Sequence, residues 1–130
     1  MEDKTVVITG ATSGLGRATA LQLAQKGASV VIIARNNTKA NEVITEIKRE
    51  GGNGQVVISD LSSMKDTKEA ADSITKVVDR LDVLINNAGA HFPKYRETPE
   101  GFESTLALNY LSPFLLTHHL IEPMKQTASD

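Results

Sequence analysis

Four short apolar runs punctuate this chain, and a helix-length segment follows each one. The runs are Thr5–Ile8, Ser29–Ala34, Gln55–Ser59 and Asp82–Asn86. Their centres (Val30-Val31-Ile32-Ile33, Val56-Val57-Ile58, Val83-Leu84-Ile85) are continuously apolar instead of alternating, the pattern of strands covered on both faces. Helices are expected from Gly14 to about Lys26, from about Thr38 to Glu50, from about Met64 to Asp79, and from about Pro99 to Ile121. Gly27 and Gly51-Gly52 stop the first two. Strands separated by helices must run parallel, so the expected fold is α/β: a doubly wound parallel sheet with right-handed crossovers and helices on both faces. No linker, repeat or low-complexity tract interrupts residues 1–130, which are expected to form a single domain.

Local signals agree with this division. Ser62 or Ser63 is a good N-cap for the third helix, with Asp66 in a box-like position after Ser63. Thr98-Pro99-Glu100 reads as an N-cap followed by proline at the first helical position. Pro113 falls inside the last predicted helix, where a bend or break is expected. In the first helix, Leu15, Thr19 and Leu23 share one face at i, i+4 spacing.

The segment Thr9-Gly10-Ala11-Thr12-Ser13-Gly14-Leu15-Gly16 joins the first strand to the first helix. Glycines let the backbone turn tightly and approach a ligand with no Cβ in the way. The free N–H groups of a helix start, at the positive end of its dipole, then suit a pyrophosphate. A nucleoside-triphosphate loop would need Lys and then Ser or Thr after the last glycine; Gly16 is followed by Arg17.

Composition excludes several classes. The net charge is −2 and the sequence pI about 5.9, with no basic field suited to nucleic acid. Cysteine is absent, which removes disulfides and thiolate metal sites, and three histidines make a poor basis for any metal centre. No segment has the length and apolarity of a membrane span. A soluble cytoplasmic protein is the expectation.

The ordered set TGxxxGxG at Thr9–Gly16, Asp60-Leu61 after the third strand, Asn86-Asn87-Ala88-Gly89 after the fourth, and Asn109 in the last helix resembles the short-chain dehydrogenase/reductase family over nearly the whole chain. The stretch from Gly101-Phe102-Glu103 through Leu108-Asn109-Tyr110-Leu111-Ser112-Pro113-Phe114-Leu115-Leu116-Thr117 is similar to its retinol-dehydrogenase-like branch. The resemblance implies a Rossmann-type fold and hydride transfer between a nicotinamide cofactor and an alcohol or ketone. It further implies that Gly10, Gly14 and Gly16 shape the pyrophosphate turn, that Thr12 and Ser13 donate hydroxyls beside Leu15, and that Asp60 accepts from the adenine amine while Leu61 packs on its ring. Asn87, Ala88 and Gly89 are expected beside the ribose and nicotinamide. Asn109 matches the helix asparagine whose backbone carbonyl holds a water in the family's proton relay.

Arg35 ends the second strand, where NAD-preferring sites carry a carboxylate for the ribose 2′-hydroxyl. A planar, always-charged guanidinium suits a 2′-phosphate, so NADP(H) is favoured over NAD(H). Arg17 is a second candidate cation. His91 lies near the expected substrate entry, whereas His118 and His119 read as surface or packing residues.

The family's proton donor is a tyrosine with a lysine four residues later, helped by an upstream serine. Here Tyr95 is followed by Pro99 and Tyr110 by Phe114, so neither makes Tyr-x-x-x-Lys. The chain therefore reads as the cofactor-binding half of an oxidoreductase, incomplete after its fourth βα unit and lacking the Ser, Tyr and Lys. A non-catalytic dinucleotide-binding module and a truncated relic are the alternatives. An exposed edge on the fourth strand and the last helix are candidate surfaces for self-association, so a homo-oligomer is an open expectation.

Overall fold

The computed structural model describes residues 1–128. Strands β1 (Thr5–Thr9), β2 (Ser29–Ala34), β3 (Asn53–Ile58) and β4 (Val83–Ile85) form one parallel sheet in the order β3-β2-β1-β4. Helices α1 (Gly14–Gln25), α2 (Asn37–Arg49) and α3 (Met64–Val77) connect them, and α4 (Ser104–Leu106), a π-helical turn (Ala107–Leu111) and α5 (Ser112–Thr127) follow β4. This is the expected Rossmann-type arrangement. Among the described residues, no helix is long and apolar enough to cross a membrane.

Burial explains why the strand centres lack polar positions. Val6, Ile8, Val30 and Ile32 point to one face, where Ala20, Ala24, Val43 and Ile47 of α1 and α2 cover them. Val7, Val31, Ile33 and Val57 point to the other, beneath Ala71 and Ile74 of α3 and Leu116 and Leu120 of α5. Successive strand residues thus enter two different cores, and each must be apolar.

Three expectations need correction. First, Leu15, Thr19 and Leu23, although at helical spacing, do not share one buried face: the fully buried residues of α1 are Gly16, Ala20 and Ala24, and Leu23 packs partly buried beside Leu21 against the same core. The line of closest approach to the sheet is made of small residues. Leu15 is 78% exposed and the Thr19 hydroxyl turns back onto the Leu15 carbonyl at 2.8 Å.

Second, no helix begins at Pro99. The Gly101 N–H donates to the Thr98 carbonyl at 2.9 Å, closing a β-turn with proline in its second position, and Gly101 has φ +87°. The helical rod starts at Glu103, whose carboxylate accepts from the Thr105 and Leu106 N–H groups at 3.0 and 2.9 Å. Those two bonds hold the Glu103 carboxyl below its ordinary pKa.

Third, Pro113 does not break the rod. It occupies the first turn of α5, directly after the π-helical turn. The π-helical turn sends the Ser112 N–H back to the Ala107 carbonyl, and Pro113 follows in the first turn of α5, where a residue without an N–H is tolerated. At the edges, β3 begins earlier than Gln55 and β4 is shorter than Asp82–Asn86.

At the amino ends of the strands, Asp82 is a hub. Arg80 Nε and Nη2 donate to its carboxylate at 2.9 and 2.6 Å, the Thr5 N–H at 2.8 Å, and Lys4 Nζ at 3.3 Å. The Arg80 bonds hold the Asp82 carboxyl well below its ordinary value of 3.8; burial opposes the shift, and Thr5 and Lys4 add to it. A carboxylate with a depressed folded pKa stabilises the fold above its unfolded value and loses that contribution as pH falls through the folded one. Asp82→Asn is therefore expected to cost about 1–2 kcal/mol at pH 7, a modest figure because Lys4 and Arg80 are half exposed. It should also flatten the loss of stability below pH ~4. Urea melts from pH 2 to 7 check this, and an unchanged acid limb would refute it.

Candidate functional site

The winding reverses between β1 and β4: β2 and β3 lie to one side of β1, and β4 to the other. In such sheets a crevice opens beyond the carboxyl ends of the strands at the reversal. Here it is a cleft of about 740 Å³. The segments after all four strands meet in it. Gly10, Thr12, Ser13, Leu15 and Gly16 come after β1, and Arg35 after β2. Asp60 and Leu61 come after β3, and Asn87, Ala88 and Gly89 after β4. A smaller cavity of about 410 Å³ lies between the carboxyl ends of α3 and α5. It has no glycine turn and no helix start, and its arginine, Arg80, is committed to Asp82.

Each glycine of the turn has its own reason. Gly10 has φ +66°, and a Cβ there would lie 2.8 Å from the Ala88 Cα. A Cβ on Gly16 would fall on the Gly10 carbonyl and the Asn87 side-chain amide. Gly14 has φ +55° and nothing within 4 Å of its missing Cβ: it faces open space. Gly10 and Gly16 therefore permit packing, and Gly14 leaves room.

The start of α1 differs from the others in what caps it. Asn36 caps α2 by accepting from the Lys39 N–H at 3.0 Å, and Ser63 caps α3 by accepting from the Asp66 N–H at 3.1 Å. Among the described residues no side chain caps α1, and its first turn holds no acidic residue. Ser13, Leu15 and Gly16 at this start line the cleft, and a helix start without a side-chain cap suits an anion.

Asn87 mainly stitches the cleft floor. Its Nδ2 donates to the carbonyls of Thr9 and Gly10 at 3.1 and 3.0 Å. The Thr9 hydroxyl in turn accepts from the Asn87 and Ala88 N–H groups at 3.0 and 2.8 Å. This pins the loop after β4 to the end of β1. Asn86 turns away and donates to the Thr117 hydroxyl of α5 at 3.1 Å.

Asp60 accepts from the Ser62 N–H and hydroxyl through Oδ1 at 3.0 and 2.7 Å, and among the described residues nothing engages its Oδ2. Leu61 is largely buried in the α3-side core and shows one edge to the cleft. Arg35 is exposed at the cleft edge and has no ion pair among the described residues, whereas Arg17 is paired with Glu46 of α2.

Asn109 is not among the cleft-lining residues. It sits in the π-helical turn and braces Ala90: its Nδ2 donates to the Ala90 carbonyl at 2.6 Å, and its Oδ1 accepts from the Ala90 N–H at 3.0 Å. His91 is exposed outside the cleft lining, and the rings of His118 and His119 meet edge to face at 5.4 Å. Among the described residues, no cluster of His, Asp and Glu has the arrangement of a metal site.

Sequence reasoning missed Lys39, Phe92 and Arg96, which also line the cleft. Lys39 had a signal: it follows Arg35 by four positions across the start of α2. Arg96 lies over the Phe92 ring at 5.3 Å, a contact made within a loop and invisible to periodicity.

A strand, an uncapped glycine turn and a cleft at the winding reversal define a dinucleotide-fold protein. The sequence pattern described as short chain dehydrogenase matches residues 4–129, and the chain belongs to the short-chain dehydrogenase/reductase family, on its retinol-dehydrogenase-like branch. It is 42% identical over 127 residues to retinol dehydrogenase 12 of Bos taurus, a match covering 96% of this chain and 40% of that protein. It is 39% identical over 129 residues to polyprenol dehydrogenase of Homo sapiens, covering 98% of this chain and 39% of that one. The chain spans well under half the length of the curated relatives it matches.

Among solved structures, a metagenomic short-chain oxidoreductase in complex with NADP superposes with a TM-score of 0.85 at 31% identity, covering 95% of this chain and 57% of that one. A 7α-hydroxysteroid dehydrogenase complexed with NADH superposes with a TM-score of 0.85 at 33% identity, covering 96% and 49%. The family's cofactor is NAD(P), and these two neighbours hold different members of that pair.

Proposed function

We propose that this chain supplies the NADP(H)-binding part of an oxidoreductase that moves a hydride between a nicotinamide and an alcohol or ketone. The observation that carries the reading is the uncapped start of α1 opening into the same cleft as Arg35. The residues present fit the dinucleotide. The N–H groups after Ser13 suit the pyrophosphate, and the open space at Gly14 admits it. Arg35, with Lys39 beside it, suits a 2′-phosphate, and Asp60 Oδ2 is an acceptor for the adenine amine. Ala88 and Gly89 form a wall of small residues where the nicotinamide end would lie. The bound cofactor would supply the hydride chemistry; the chain binds and orients it.

Asn109 has a supporting role in this reading. Pro113 has no N–H to offer the Asn109 carbonyl four residues back, so the helix leaves that oxygen without its usual donor. This is the chemistry a carbonyl needs to hold a water for proton relay.

A second reading is a dinucleotide-binding module without turnover. Neither Tyr95 nor Tyr110 lines the cleft, and the Tyr95 hydroxyl donates to Glu97 at 2.6 Å, a carboxylate that raises its pKa, opposite to what proton donation near neutrality requires. Titrating this chain with NADPH by fluorescence, then assaying the complete oxidoreductase that contains it for NADPH oxidation with a panel of aldehydes and ketones, decides between the two. Binding with turnover supports the enzyme, and binding without it supports the module. No binding overturns both.

A further inference from the structure

The loop between β4 and α4 forms one wall of the cleft through Phe92, Arg96, Glu97, Thr98 and Pro99. It is held at its base by Asn109 on Ala90 and by the Phe92 N–H on the Thr105 hydroxyl at 3.3 Å. At its far end is the tight turn Thr98–Gly101, and this turn projects Glu100 across to α3. There Glu100 Oε1 accepts from the Met64 N–H at 2.6 Å and Oε2 from the Lys65 N–H at 3.1 Å.

Those are the first two amides of α3, and Ser63 takes the third, that of Asp66. A helix start carries unpaired donors and a positive dipole end, so a carboxylate placed there makes charge-assisted bonds. Helix α3 begins just after Asp60-Leu61-Ser62, which line the cleft on the other side. Among the described residues, these are the only hydrogen bonds joining the loop to the segment from Asp60 to Asp66.

We infer that Glu100 is a positioning residue for the dinucleotide: by clasping the start of α3 it holds the loop as the wall of the adenosine side of the cleft. This rests on the proposed cofactor reading. Glu100 does not line the cleft, so its effect on affinity is indirect and should be confined to the half of the ligand that the wall covers. Without the clasp the loop samples open positions, and affinity falls by the fraction of time it is closed.

The test uses Glu100→Ala and Glu100→Gln. The probes are NADPH, adenosine 2′,5′-bisphosphate for the adenosine half and nicotinamide mononucleotide for the other half. Glu100→Ala is expected to weaken NADPH and the bisphosphate by about tenfold and to leave the mononucleotide within about twofold. Glu100→Gln, which keeps one acceptor and loses the charge, should fall between Ala and wild type. Backbone amide exchange should quicken in the loop and at Met64 and Lys65.

Unchanged bisphosphate affinity in a folded Glu100→Ala protein overturns the inference. So does equal weakening of both halves together with a lowered melting midpoint, which would make Glu100 a stability residue only. If the wild-type chain binds none of the three probes, the cofactor reading itself fails and this inference falls with it.

Discussion

Gly16→Ala is expected to lower folding stability by about 3 kcal/mol and to abolish dinucleotide binding. The added methyl group has nowhere to go. It would fall on the Gly10 carbonyl and the Asn87 amide, and these two are hydrogen-bonded to each other at 3.0 Å. Gly10 has little room to retreat: a Cβ on it would lie only 2.8 Å from the Ala88 Cα, and its carbonyl is held by the Asn87 amide. Helix α1 would have to lift from the sheet, opening the core at Ala20 and Ala24. The informative contrast is Gly14→Ala, which meets no atom and costs only the strain of a positive φ, about 1 kcal/mol. Urea denaturation of both variants measures the difference. A Gly16→Ala midpoint near that of wild type would show that the turn is softer than its packing implies.

Arg35→Asp is expected to weaken NADPH binding by roughly 2–5 kcal/mol without weakening NADH binding. The substitution removes a guanidinium that has no ion pair among the described residues and places a carboxylate where a 2′-phosphate would sit. Much of the loss is then repulsion, and it should shrink as salt is raised. A carboxylate at this strand end also suits a free ribose 2′-hydroxyl, so NADH affinity should hold or improve. Paired titrations at two ionic strengths check the reading. Equal losses for both cofactors would show that Arg35 does not read the phosphate, and Lys39 would become the residue to test.

The sheet is legible in the sequence because its strands are buried twice over. Val30 through Ile33 alternate between two cores, and no polar residue blurs the run. The cleft is legible for a related reason: its floor is built from residues directly after each strand, and topology brings strand ends together. The face of α1 is not legible from hydrophobicity, because close packing on the sheet selects Gly16, Ala20 and Ala24 over larger residues. Nor is the segment from Thr98 to Glu103. Thr98-Pro99-Glu100 satisfies the rules for a helix start and for a β-turn alike, and only the left-handed Gly101 decides between them. Glu100 acts on amides 35 and 36 positions away, a pairing no local pattern encodes.

The hub at Asp82 makes the sheet mechanically lopsided. At the amino ends of β1 and β4, one largely buried carboxylate gathers the Thr5 amide and two cations, while the Asp82 N–H donates to the Thr5 carbonyl at 3.0 Å. At the carboxyl ends, the same two strands are joined through loops and an asparagine side chain. Thermal opening should therefore start at the cleft and stop short of the clamp, as when a book opens from its fore-edge and stays bound at its spine. The cleft end is then the part of the molecule least costly to open, and each excursion leaves the strand register intact for reclosure.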